Sequence, residues 1–243
     1  WKTGITKFSA LTETEFARKY LTLNLSFKKY HLVKPQESNP APEKFNWLDK
    51  GVLGEIKDQA QCGSCWAFST VANMEAQAKI QFNKTVRLSE QMLVDCDTNN
   101  MGCNGGNMDL SFEWMMENGG IMSEEDYPYV AFDDDCKMKK EKLIVGVTDY
   151  TRLDSDDEKD IKEFLYTTGP LAVALNANPL QTYVGGILDP STWECNPQAM
   201  NHAVEMVGYG NEEGKDIWIV RNSWGLNWGE KGYFRIRRGT CAC

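Results

Sequence analysis

Cys62-Gly-Ser-Cys65-Trp66 opens the most constraining stretch of the chain. Two cysteines three apart precede Trp66, Phe68, Val71, Met74 and Ile80, a spacing suited to a long, mostly buried helix. Three local solutions compete. A zinc knuckle would need a second Cys-x-x-Cys or spare His ligands, and the whole chain holds 2 His. A thioredoxin-like dithiol would need a preceding βαβ pattern, which is missing. The third solution is a nucleophile beside a half-cystine. Ser64 then caps the helix and Cys65 is its first residue, where unpaired amides and the helix dipole favour a thiolate.

A nucleophilic cysteine needs a base, and the base needs a group to orient it. Beyond His31 the chain offers only His202, which follows Asn201 at the start of a predicted strand. Asn222, at the end of a later strand in Arg221-Asn-Ser-Trp-Gly225, can serve as the orienting group. Taken singly, a histidine is usually structural and such an asparagine usually belongs to a turn. Together with Cys65 they make a set.

Charge divides the chain. Residues 1–40 hold seven bases and three acids, so the remainder carries −13 of the net −9 and contains all 8 Cys. That balance, with a pI of about 4.9, argues against nucleic-acid binding. No apolar stretch approaches a membrane span. The basic arm contains Phe8, Leu11, Phe16, Tyr20, Leu21 and Leu23, residues that a solvated tail has no use for, so it is expected to lie on its own acidic body. Within it, Thr12-Glu-Thr-Glu15 spells a capping box for a helix to about Leu21. Residues 34–42 read as an extended Pro- and Ser-rich linker.

The first half of the body is helical. Besides the run after Ser64, helices are predicted from Ser89 through Val94, over 108–116 stopped by Gly119-Gly120, and over 156–166 ending before Gly169-Pro170. Strands follow at 171–175, 203–208, 216–222 and 233–237. Helices first and strands later indicate an α+β fold of two lobes with a cleft between them.

Four stretches carry a resemblance: Gln59-Ala-Gln-Cys-Gly-Ser-Cys-Trp-Ala-Phe-Ser69, Gly102-Cys-Asn-Gly-Gly-Asn-Met-Asp109, Asn201-His-Ala-Val204, and Asn222-Ser-Trp-Gly-Leu-Asn-Trp-Gly-Glu-Lys-Gly-Tyr233. In this order they resemble the papain-family cysteine proteases of the cathepsin L-like endopeptidase type. His202 lies 137 residues beyond Cys65, the separation that goes with this cysteine string in that family. The resemblance implies a papain-like fold, with a helical left lobe mainly over 60–150 and an antiparallel β-barrel-like right lobe mainly over 151–243. Residues 41–243 would be the catalytic domain and 1–40 the C-terminal part of an inhibitory prosegment with its linker.

It also implies roles. Cys65 would be the nucleophile, His202 the base and then the acid, Asn222 the holder of the imidazole, and Trp224 its shield from water. Gln59 would join the Cys65 N–H in an oxyanion hole. Gly63, Asn107, Asn201 and Trp224 would also bind substrate, Gly105 and Gly106 would lie against its backbone, and Met108, Ala174 and Met200 would form an apolar pocket for a bulky hydrophobic residue two places before the cut (P2). Bridges would join Cys62 to Cys103, Cys96 to Cys136, and Cys195 to Cys241 or Cys243, with Cys241 the working assignment. No cofactor or metal is implied. Partners would be protein or peptide substrates, the chain's own prosegment in the cleft, and cystatin-type inhibitors. A lysosomal, vacuolar or secreted location fits the cysteines and the sequons at Asn24 and Asn83.

Exopeptidases of the cathepsin B type carry a His-bearing occluding loop, and no His is available for one here. The chain departs from the family at Thr6 and Ala10, where prosegments carry Asn and Asp, and at Ala60, where relatives carry Gly. Acid is expected to release the arm by protonating carboxylates on the body. The rival reading is a non-catalytic homologue that keeps the fold for binding or structure.

Overall fold

The computed structural model describes residues 1–25, 32–33, 40–153, 157–191, 194–196, 198–240 and 243. Expectations for His31, Asp156, Cys241, Ser26 of the first sequon and residues 34–39 of the linker fall outside them. The arm and its junction supply β1 (Lys2–Thr3), α1 (Glu13–Tyr20), β2 (Leu32–Val33) and β3 (Phe45–Asn46). The helical lobe follows with α2 (Cys65–Phe82), α3 (Glu90–Cys96), α4 (Met108–Asn118), β4 (Ile121–Met122), β5 (Leu143–Val145) and β6 (Arg152–Leu153). The β lobe holds α5 (Glu158–Thr168), β7 (Leu171–Leu175), β8 (Tyr183–Gly185), β9 (Ile187–Leu188), β10 (His202–Glu212), β11 (Lys215–Arg221) and β12 (Tyr233–Arg237).

Local chemistry sets most boundaries. The Thr12 hydroxyl accepts from the Glu15 N–H at 3.2 Å while the Glu15 carboxylate accepts from the Thr12 N–H at 2.9 Å, the reciprocal pair that starts α1. Ser89, Asn107 and Asp157 cap α3, α4 and α5 by accepting from first-turn amides. Gly119 ends α4 in the left-handed region, which costs a glycine nothing. Ser64 behaves differently from expectation. It precedes α2 but makes no side-chain cap, because its hydroxyl pairs with the Tyr129 hydroxyl at 2.7 Å.

The main sheet runs β3-β10-β11-β12-β9, with β7 also on β10. Its pairings are antiparallel except β9 with β12, which is parallel. Strand β10 extends past the expected Gly208 because β11 turns back on it from Lys215. One core lies over this sheet and the other is built around α2, α3 and α4. Ser69 of α2 donates to the Val204 carbonyl of β10 at 2.8 Å, and Asn73 donates to Pro170 at 2.8 Å, so α2 is the helix that joins the lobes.

The arm contributes to both cores. Phe8, Phe16, Tyr20 and Leu21 are buried in the β-lobe cluster, and Leu23 in the helical one. Strand β1 pairs antiparallel with β8, and Gly4 donates to Thr182 at 2.9 Å. Thr6 makes its own turn there: its hydroxyl accepts from the Phe8 N–H at 3.1 Å and donates to the Gln181 carbonyl at 2.6 Å. Among the described residues one ion pair, Lys7–Asp58, joins arm to body. It is half exposed and worth little. Apolar burial and backbone pairing hold the arm more than the charge division had suggested.

Cys62–Cys103 and Cys96–Cys136 are bonded, and Cys65 is the free cysteine among the described residues. The third bond corrects the working assignment: Cys195 is joined to Cys243, not Cys241. The end of β7 decides this. The Asn176 N–H donates to the Cys243 carbonyl at 3.3 Å, and the Asn176 carbonyl lies 3.4 Å from the Cys195 sulfur, so one residue holds both cysteines.

Between the lobes lies a buried set of charges. Lys57 donates to Glu75 and to Glu90, each at 2.7 Å, and Arg221 donates to Glu205 at 3.0 Å. Three carboxyl groups face two cations. Burial pushes the Glu90 carboxyl up to about 7, against the pull of Lys57. A carboxyl raised above its unfolded value binds its proton more tightly when folded. Its contribution is therefore full below about pH 4.5 and lost as pH rises through about 7. His202, held at about 4, acts in the opposite sense over much of that window, so the test is differential: calorimetry should find that Glu90→Gln shifts the slope of stability against pH upward, by at most about 1.4 kcal/mol per unit.

Candidate active site

Cys65 is the first residue of α2 and completely buried. The Cys62–Cys103 bond and the Gly63 N–H to Cys103 carbonyl bond at 2.9 Å pin the turn before it. Burial pushes the thiol up, and the N–H groups of Ala203, Thr22 and Trp66 around the sulfur oppose this. Ala203 is the residue after His202, so the first residues of α2 and β10 meet in one site.

The histidine is also completely buried, with Nε2 2.8 Å from the Asn222 Oδ1. The Ser223 N–H donates to that same Oδ1 at 2.8 Å, which identifies it as the amide oxygen and makes it an acceptor. Nε2 therefore carries the proton, and Nδ1 keeps its lone pair. Burial lowers His202 to about 4, while Asn222 and the Tyr20 backbone pull it back up. With the arm in place, burial favours the neutral thiol and the neutral imidazole over their charged forms.

Trp224 stacks on the imidazole at 4.7 Å between ring centres. Phe8 at 4.9 Å and Phe16 at 5.4 Å, both from the arm, and Trp228 of the body at 4.9 Å all meet it edge-on. The ring stacked on His202 is thus itself covered in part by aromatics of the arm.

Gln59 is buried and fixed from three sides. Its Oε1 accepts from the Ser223 hydroxyl at 2.7 Å, its Nε2 donates to the Cys62 carbonyl at 3.0 Å, and its backbone carbonyl accepts from Tyr129 at 2.8 Å. One of the two amide protons is engaged in that bond to Cys62. Ala60 beside it sits at φ 50°, the left-handed region in which relatives would place glycine. The Asp58 carboxylate holds this turn by accepting from the Ala60 N–H at 2.9 Å.

The arm passes over Cys65 as an extended chain. Leu23 pairs parallel with Gly106, the Leu23 N–H donates to the Asn201 carbonyl at 3.1 Å, and the Asn24 N–H donates to the Gly106 carbonyl at 2.9 Å. Backbone from both lobes thus grips backbone of the arm. Gly63 and Gly105 make room for it: a Cβ there would lie 2.3 Å from the Thr22 hydroxyl and 2.1 Å from the Thr22 carbonyl. Gly106 is needed for another reason, since its Cβ would strike Asn100 and the Trp66 ring. Met108, Ala174 and Met200 fall in one apolar cluster with Leu23 and Leu25 of the arm. Asn107 is buried as the cap of α4, and the Asn201 side chain ties to Ala177 and Asn178.

Sequence reasoning missed Thr22, Ser223 and Tyr129. Ser223 stands inside the Asn-Ser-Trp stretch and could have been found there. Tyr129 is 65 residues from Ser64, and no local pattern marks it.

The chain's residues 41–243 match the family model described as papain family cysteine protease. Cysteine proteinase 15A of Pisum sativum is 40% identical over 99% of this chain and 70% of its own length. The structure of digestive procathepsin L2 proteinase from Tenebrio molitor larval midgut superposes with a TM-score of 0.94 at 36% identity, covering 100% of this chain and 81% of that one. The recombinant stem bromelain precursor gives 0.87 at 34%, covering 98% and 77%. With a free cysteine at a helix start, an oriented histidine and a self-occupied cleft already in place, the match settles the family: the chain belongs to the papain family of cysteine proteases and has the papain-like two-lobed fold.

Proposed function

We propose that this chain is the proform of an endopeptidase that uses Cys65 and His202 as a thiolate–imidazolium pair. The observation that carries the reading is the His202 Nε2–Asn222 Oδ1 bond, which leaves Nδ1 as the acceptor for the thiol proton. When the arm leaves, water returns, the cost of charge falls, and the proton passes from Sγ to Nδ1. The thiolate at the start of α2 attacks the scissile carbonyl. The oxyanion then takes hydrogen bonds from the Cys65 N–H and from the remaining Gln59 amide proton. Such a donor is worth about 10²–10³ in rate. Nδ1–H next protonates the leaving amine, giving an acyl-enzyme, and the imidazole afterwards takes a proton from the water that hydrolyses it.

Met108, Ala174 and Met200 support a preference for a bulky hydrophobic P2 residue, as Leu23 and Leu25 already pack in their cluster. Substrate backbone would take over the Gly106 and Asn201 contacts of the arm, and a cystatin-type inhibitor would compete for the same cleft. Exposed Asn83 and Asn24 remain glycosylation candidates. A lysosomal, vacuolar or extracellular setting suits the three disulfides.

The proton that moves within the pair is not taken from solvent, so the pair adds no acid dependence to arm release.

Acidified under reducing conditions, the chain should shed the arm and then take up one equivalent of an epoxide inhibitor at Cys65. Cys65→Ser should abolish labelling and peptide hydrolysis, and Gln59→Ala should lower kcat about 10²–10³-fold. An acid-treated chain that is not labelled stoichiometrically would instead be the non-catalytic homologue. Phe8→Ala should remove about 3 kcal/mol or more of arm packing and speed alkylation of Cys65 in the intact chain at pH 7 by about 100-fold or more. Lys7→Met should hasten processing near neutral pH and reduce its salt dependence; equal rates with and without Lys7 would refute a role for charge.

A further inference from the structure

Glu205 is a completely interior carboxylate that the chemistry above does not use, 1% exposed, on β10 three residues after His202. Its Oε2 accepts from Arg221 at 3.0 Å, and its Oε1 has no partner among the described residues. Arg221 directly precedes Asn222, and its second amino group donates to the Glu55 carbonyl. Lys57, Glu75 and Glu90 line the same small cavity from the other lobe, and Asn222 and Ser223 complete its wall.

The strand pairing gives this contact its meaning. Glu205 opposite Arg221 is the last rung of the β10–β11 ladder, and a bulge between Met206 and Gly208 separates the last two rungs from the rest. Beyond that rung, His202 pairs with Leu175 of β7, and the Asn222 N–H bonds to Gly232. No rung therefore ties the histidine to the asparagine. What spans the two strand ends is the His202–Asn222 bond on one face and the Glu205–Arg221 pair on the other. A buried ion pair contributes little net stability compared with apolar residues of the same volume, so stability alone does not account for one here.

We propose that Glu205 is a positioning residue. Acting through Arg221, it locks the final rung of β10 and β11 and so holds the Asn222 Oδ1 where it fixes the His202 tautomer. This rests on Cys65, His202 and Asn222 being the catalytic set.

The test compares wild type, Glu205→Gln and the charge-neutral double variant Glu205→Leu/Arg221→Met. Each is read as processed enzyme on a peptide substrate and as full chain by NMR of the imidazole Nε2–H, which His31→Asn assigns because the chain holds 2 His. Both variants should lose at least tenfold in kcat with KM within twofold, and their Nε2–H signal should broaden by exchange with water. The double variant should do so even where its Tm equals or exceeds that of wild type. If Glu205→Gln does not fold, the double variant decides alone. Variants with kcat within twofold of wild type and an unchanged Nε2–H signal, whatever their Tm, would overturn the proposal and leave the pair as lobe packing. A wild type that turns nothing over while the signal still responds to substitution would refute the catalytic reading and leave the positioning intact.

Discussion

The site depends on α2 and β10 lying against each other, because Cys65 is the first residue of one and His202 the first residue of the other. Neither lobe holds both residues by itself. The Ser69 bond to Val204 and the burial of Ala203 beside the sulfur set the contact between them. Each partner is then fixed from behind by its own element. Cys65 is held by a disulfide-pinned turn, and His202 by an asparagine whose amide orientation the next backbone N–H settles.

The arm works on that contact in two ways. Its backbone occupies the ledges of Gly106 and Asn201. Its aromatics bury Trp224, and through Trp224 the imidazole. Exclusion of water keeps the thiol and the imidazole neutral, since a separated charge in a dry site is costly. On the proposed reading, blocking substrate and discharging the pair are therefore one event.

Much of this was legible in the residues. The capping box of α1, the strands at 171–175 and 233–237, the Gly119 stop and the cysteine at the head of α2 all follow from local chemistry, which acts between neighbours in sequence. Local chemistry also misled. Ser64 has the composition of a helix cap, yet its hydroxyl pairs with Tyr129, a partner far away in sequence. Asn107, in the Gly-Gly-Asn stretch, also starts α4 as its cap, a task the stretch did not announce.

The sequence by itself determined which groups are candidates for the reactive pair, because two histidines and one cysteine at a helix start leave almost no choice. Only the tertiary structure decided how those groups are charged, since protonation depends on burial and on the Tyr20 backbone crossing the imidazole. It also decided which cysteine meets Cys195 and how the Glu205–Arg221 pair sits behind the strand ends that carry His202 and Asn222. These are contacts between residues distant in the chain, and periodicity and spacing carry no record of them.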